Sequence, residues 1–78
     1  MLYKTELGAA MKVGDLVVLS SYGAKRDYNS YIWSVDPEQT GIIIKVDYRY
    51  TYQYRVHWSK ANHKSVGHMR RELKYAYR

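Results

Sequence analysis

The chain of 78 residues contains no cysteine, no phenylalanine, one proline and seven acidic residues. Without cysteine there is neither a disulfide framework nor a thiolate metal site, so the fold must rest on packing and hydrogen bonds. The longest apolar run is the four residues Leu16 to Leu19, far short of the roughly 20 that a membrane-spanning helix needs. A basic start followed by a long apolar stretch, the mark of a secretory leader, is missing too. The chain is therefore expected to be soluble and cytoplasmic. Its length suits one domain with one modest core.

Sites of chemistry are equally sparse. Asp15, Asp27, Asp36, Glu38, Asp47 and Glu72 are scattered and show no paired-carboxylate pattern. There is no glycine-rich phosphate loop and no Gly-x-Ser-x-Gly turn. His57, His63 and His68 are spaced six and five apart, but a transition metal needs three or four convergent ligands backed by a second layer of hydrogen bonds. No catalytic residue, metal, cofactor or small-molecule substrate is expected.

What the chain does have is tyrosine and positive charge. Ten tyrosines and two tryptophans make up its aromatic set. Tyrosine has an apolar body and a polar tip, which suits both the rim of a small barrel and a wet interface. The net charge of +6 is concentrated in one half. Residues 1–44 hold four basic residues (Lys4, Lys12, Lys25, Arg26) against five acidic ones, whereas residues 45–78 hold nine against Asp47 and Glu72. A clustered positive field attracts phosphate and releases counterions, although a basic face also serves solubility alone.

Period-two patterning dominates the middle of the chain. From Gly41 to Trp58, Ile42, Ile44 and Val46 alternate with Ile43, Lys45 and Asp47, and Tyr52, Tyr54, Val56 and Trp58 alternate with Gln53, Arg55 and His57. Side chains in a strand alternate faces, so this stretch predicts a two-stranded hairpin with one apolar and one polar row. On this reading Ile43 interrupts the polar row. The turn near Tyr48 to Thr51 lacks Asn-Gly or Asp-Gly and is expected to be longer than two residues.

The flanking segments follow the same reasoning. Residues 1–10 have no clear period and are expected to form an accessory arm, with one domain over residues 11–78. Gly14 and Asp15 form a turn into a strand over Leu16 to Leu19, whose continuous apolar run predicts cover on both faces. Residues 20–40 form a long connection in which Tyr31 to Val35 reads as a short strand; loops of this length are usually functional. It carries Tyr22, Lys25, Arg26, Tyr28, Tyr31 and Trp33. After a polar loop at Ser59 to Lys64, a short strand is expected within Ser65 to Met69. A helical turn at Arg70 to Glu72 and a closing strand from Leu73 to Tyr77 complete the pattern.

The segments Val13-Gly14-Asp15-Leu16-Val17, Gly41-Ile42-Ile43, Tyr54-Arg55-Val56-His57-Trp58 and Arg71-Glu72-Leu73 resemble the small SH3-like or Sm-like barrel proteins of tailed bacteriophages, notably cyanophages. The resemblance covers roughly residues 12–76. It implies an all-β barrel of about five antiparallel strands with a long first loop and a short helical turn before the last strand. It also implies a phage origin, placing the protein in the cytoplasm of an infected host. Oligomeric rings are implied only at the level of fold, which does not confer function.

Two functions follow as expectations. The first is non-catalytic binding of single-stranded RNA or DNA by a homo-oligomer. Lys45, Arg55, His57, Arg70, Arg71 and Lys74 would meet phosphate, and Tyr48, Tyr50 and Trp33 would stack on bases. Trp58 is expected in the core. The second is a structural or protein–protein interaction module, with Val18, Ile43 and the tyrosine-rich edges buried between subunits.

Overall fold

The computed structural model describes residues 10–60 and 65–77. The expected arm over residues 1–10, except Ala10, and His63 with most of its loop lie outside the described residues. Five strands form one antiparallel open sheet: β1 (Leu16–Leu19), β2 (Gly41–Val46), β3 (Tyr54–Trp58), β4 (Val66–His68) and β5 (Leu73–Tyr75). Their order is β4-β3-β2-β1-β5, so β4 and β5, neighbours in sequence, are opposite edges. Four strand spacings of about 4.8 Å would separate those edges by about 19 Å in a flat sheet. The link between them is Met69 plus the single 3₁₀ turn Arg70–Glu72, and 3₁₀ backbone advances only about 2 Å per residue. The sheet must therefore curl strongly. Among the described residues no helix is long and apolar enough to cross a membrane.

The turn into β1 forms as its residues dictate. Gly14 has φ of +97°, a conformation that a side chain disfavours. Its N–H donates to the Ile43 carbonyl at 2.8 Å, while Asp15 Oδ2 accepts from the Lys12 N–H at 2.9 Å. From there Val17 and Leu19 point inward and join Met11, Ile32, Ile43, Tyr54, Val56, Trp58 and Leu73 in the core. Tyr31, Trp33, Val46 and Tyr75 pack around it, half-buried.

The central hairpin exists, but the faces of its first arm are reversed. Ile43 is fully buried, whereas Ile42 and Ile44 are exposed. The register explains this: Ile43 pairs with Val56, yet the next rung joins Lys45 to Arg55 and the following one Val46 to Tyr54. A β-bulge at Ile44 places two residues opposite one and resets the alternation. Val46 then shares the inner side with Ile43 although the two are three residues apart. The second arm is as expected except that it begins at Tyr54, leaving Tyr52 exposed in the hairpin loop. The outer side of β1 is also more open than its apolar run implies, since Leu16 is exposed and Val18 half-buried.

The long connection is helical where a strand was expected. It contains α1 (Ser21–Ala24), a 3₁₀ turn (Asp27–Asn29) and α2 (Ser30–Trp33), the last replacing the strand expected at Tyr31 to Val35. Tertiary contacts override the β-favouring Tyr-Ile-Trp sequence. Buried Gln39 donates through Nε2 to the Ile32 carbonyl at 2.9 Å, and its Oε1 accepts from the Lys60 N–H at 2.8 Å. One amide thus ties the end of α2 to the loop after β3. Ser20 caps α1 by accepting from the Gly23 N–H at 3.1 Å and also donates to the Arg71 carbonyl. Gly23 lies so close to the backbone of Glu72 that an added Cβ would collide with that carbonyl.

Three substitutions check this arrangement by chemical denaturation. Ile43→Ala should cost about 2–5 kcal/mol as a large-to-small core change, whereas Ile44→Ala at the exposed bulge should cost less than about 1 kcal/mol. Gly23→Ala should cost about 1–3 kcal/mol through overpacking. Equal costs at Ile43 and Ile44 would contradict the bulge.

Candidate nucleic-acid interface

The bulge has a consequence for charge. With strict alternation Lys45 would share the inner face with Ile43; the extra residue turns it outward, directly across from Arg55. Two like charges facing each other on one rung destabilise the free sheet. Nearby, Asp47 is already engaged. It holds Arg49 through contacts of 2.9 and 2.7 Å, and these bonds draw the Asp47 carboxyl down to about 2. Arg55 donates to the Ser65 carbonyl at 3.1 Å, which orients its guanidinium without neutralising it.

Lys45 and Arg55 share a small cleft with Asp47, Gln53, Tyr50 and Tyr52. Tyr50 and Tyr52 are both exposed. The hairpin loop is closed by the Asp47 N–H donating to the Gln53 carbonyl at 2.9 Å. Gln53 also lines a second, wider hollow, with Thr51, Met69, Arg70 and Arg71. The loop thus borders two hollows, each lined by two cations besides its other residues. His57 lies on the same outer side of β3 as Arg55 and pairs with exposed Ile42.

Other expected site residues lie elsewhere. Lys74 is exposed on β5 and pairs with Val18 on β1, so in the sheet one strand separates it from Lys45 and two separate it from Arg55. It lines a different hollow with Pro37, Glu38 and Thr40. Tyr48 stands edge-on to Tyr54 with ring centroids 6.1 Å apart. Burial, and then the hydrogen bond with Tyr48, push the Tyr54 phenol up to about 12. Trp33 is half-buried against the core, and its indole N–H donates to the Arg26 carbonyl at 3.4 Å. Neither Tyr48 nor Trp33 lines the Lys45–Arg55 cleft.

Behind the loop is a buried polar network that sequence reasoning missed. Glu72, His68 and Asn29 are fully buried. Glu72 Oε1 accepts from Asn29 Nδ2 at 3.2 Å and lies 2.8 Å from His68 Nδ1. Its Oε2 accepts from the Tyr28 hydroxyl at 3.0 Å and the Met69 N–H at 3.2 Å. Trp58 donates its indole N–H to His68 Nε2 at 3.0 Å. An indole N–H can only donate, so Nε2 must be the acceptor and the proton of a neutral His68 sits on Nδ1, directed at Glu72. This pairing resembles the acid–histidine half of a catalytic triad, but Nε2 faces Trp58 and the group has no opening to solvent. The i, i+4 spacing of His68 and Glu72 was its only local signal in the sequence.

Opposing effects set the ionisation of this pair. Burial lowers the His68 pKa and outweighs the pull of Glu72. Burial alone would raise Glu72, but the hydrogen bonds from His68, Asn29, the Met69 N–H and Tyr28 hold it below the usual range. The Tyr28 phenol is pushed up to about 12 by desolvation and by Glu72. Tyr28 also stands edge-on to Tyr52, with ring centroids 6.2 Å apart, linking the network to the cleft.

His57 and His68 lie on opposite faces of the sheet, and among the described residues no group of three or more His, Cys, Asp or Glu could hold a metal ion. Compared with known protein families, characterised proteins and solved structures, the chain matches none.

The network predicts acid lability with a defined onset. Both folded pKa values lie below their ordinary values of 6.5 for His68 and 4.5 for Glu72. The unfolded chain therefore binds more protons over those ranges, and stability falls as pH drops. Denaturation midpoints should begin to fall below about pH 6.5, where an ordinary histidine titrates, and fall further below about pH 4.5, through Glu72. His68→Gln should flatten the upper part of this curve and cost about 1–3 kcal/mol at pH 7. Glu72→Ala, which strips the buried Asn29 and His68 donors of their acceptor, should cost at least about 1–3 kcal/mol. A flat wild-type profile between pH 7 and 5 would contradict the assignment of a buried neutral His68.

Proposed function

We propose that this chain is a non-catalytic binding protein for single-stranded nucleic acid. The reading rests above all on the Lys45–Arg55 rung beside Tyr50 and Tyr52, where two cations share a cleft with one carboxylate, Asp47, that is bonded to Arg49. A phosphate at that rung would offset the like-charge repulsion, and the exposed rings offer faces to neighbouring bases. Arg70, in the second hollow that Gln53 lines, and His57, further along β3, extend the positive surface. Strand order and the short 3₁₀ link are compatible with an SH3-like or Sm-like barrel, a class of small fold that presents such surfaces in an oligomer. A phage origin is part of the same reading.

A second reading draws on a separate observation. Leu16 and Ile42 pair across β1 and β2, and with Ile44 they leave apolar surface exposed on the outer side of the sheet. Exposed apolar patches mark interfaces, so self-association or docking to another protein is the alternative role. Light scattering on the full chain tests the self-association part of this second reading: a monomer would remove it, and a concentration-dependent oligomer would support it alongside nucleic-acid binding.

Fluorescence anisotropy with labelled single-stranded RNA, single-stranded DNA and duplex DNA tests the proposal. The protein should prefer single strands and retain saturable binding near physiological salt. Lys45→Gln/Arg55→Gln should keep its fold and bind about 10–100-fold more weakly at low salt. Its plot of log affinity against log salt should be shallower by about 1.4, from a dependence of roughly 0.7 per phosphate on single strands. Equal binding to all three probes that vanishes with salt, or no effect of the double substitution, would overturn the reading.

A further inference from the structure

The long connection and the closing 3₁₀ turn bring two arginines to one aromatic ring. The guanidinium carbons of Arg26 and Arg71 each lie 4.4 Å from the ring centroid of Tyr22. They are therefore at most about 9 Å apart, twice that distance, which is within roughly one Debye length at physiological salt. The residues are far apart in sequence, so the pairing is a product of the fold.

Their main chains are held on both sides. The Arg26 N–H donates to the Gly23 carbonyl at 3.2 Å, and the Arg26 carbonyl accepts from Trp33. The Arg71 carbonyl accepts from Ser20, the residue that caps α1. Gly23 meets the backbone of Glu72 with no room for a side chain, which brings α1 against the turn carrying Arg71. Tyr22 also contributes to the electrostatic surroundings of Tyr28, whose hydroxyl donates to Glu72.

Among the described residues neither arginine forms an ion pair with a carboxylate. Glu72, the nearest acid in sequence to Arg71, is filled by its own donors. Arg26 Nε is shut off from solvent and has no acceptor. A ring face attracts a cation, but its quadrupole carries no net charge. Each guanidinium, with no carboxylate bonded to it, keeps N–H donors for the oxygens of phosphate, which arginine binds through charge-assisted bonds.

We propose that Arg26 and Arg71, held over Tyr22, form a binding site for a phosphate group, apart from the Lys45–Arg55 cleft. The site does not require that cleft to bind nucleic acid. Its phosphate is either that of a nucleic-acid strand or that of a small phosphorylated molecule, and these share the chemistry that the arginines recognise.

The test is a nuclear magnetic resonance titration of the full chain, reading the arginine side-chain Nε–H signals. Inorganic phosphate is added against sodium chloride at matched ionic strength. Saturable shifts confined to Arg26, Arg71 and their neighbours, in the millimolar range and absent with chloride, are expected. Arg71→Gln, a change at an exposed position, should weaken phosphate binding at least tenfold, whereas Lys45→Gln/Arg55→Gln should leave it unchanged. Shifts that chloride reproduces, or that survive Arg71→Gln and Arg26→Gln alike, would overturn the proposal.

Competition by a short single-stranded oligonucleotide, with and without a 5′-phosphate, then identifies the source. Displacement by both oligonucleotides assigns the site to the phosphodiester backbone, and displacement by the phosphorylated one alone assigns it to a terminal phosphate. If neither displaces inorganic phosphate, the site serves a small phosphorylated molecule. It then stands even where single-strand binding at the hairpin fails.

Discussion

The carboxylate of Glu72 is the constraint on which the arrangement of this protein most depends. A buried carboxylate is costly unless its oxygens are filled. Here four donors come from three places: Tyr28 and Asn29 in the long connection, His68 at the end of β4, and the Met69 backbone before the closing turn. Through His68 the network reaches Trp58 in the core. Satisfying one side chain therefore fixes the long connection, one edge of the sheet and the turn that leads to the other edge. A curled sheet with only three residues in each edge strand has little ladder to hold its ends together, and the network supplies part of that restraint.

The same restraint shapes the surface proposed to bind. Tyr28 spans the buried carboxylate and the exposed Tyr52 ring, while the turn containing Glu72 also presents Arg70 and Arg71. Position in a preorganised frame reduces the ordering cost of binding. The bulge at Ile44 acts at the other end of the surface by turning Lys45 outward against Arg55. Core and surface are thus coupled through backbone geometry: one extra residue in β2 buries Ile43 and exposes a cation.

Much of the fold was legible because local chemistry and tertiary structure agree. The Gly14–Asp15 turn, the two arms of the hairpin and the Arg70–Glu72 turn each carry a local signal that the final packing respects. The faces of β2 were not legible, since three successive isoleucines contain no mark of where a bulge falls. Tyr31 to Val35 was misread because its β-favouring side chains are held in a helical segment by Gln39 and the core. For the site, the sequence displayed the excess of cations but not their directions. Lys45 and Arg55 meet through a register shift, Lys74 lies on the edge strand beyond β1, and Trp33 is occupied by packing. Glu72 looked like one acid in a basic half because its partners, apart from His68 and Met69, are more than forty residues away.

The most direct test of the account is backbone and side-chain chemical-shift mapping of the full chain during titration with a short single-stranded RNA at near-physiological salt. The account predicts saturable changes centred on Lys45, Tyr50, Tyr52, Gln53 and Arg55, with the core signals of Trp58 and His68 unmoved. Changes confined to the apolar row of Leu16, Ile42 and Ile44, or no saturable change anywhere, would contradict it.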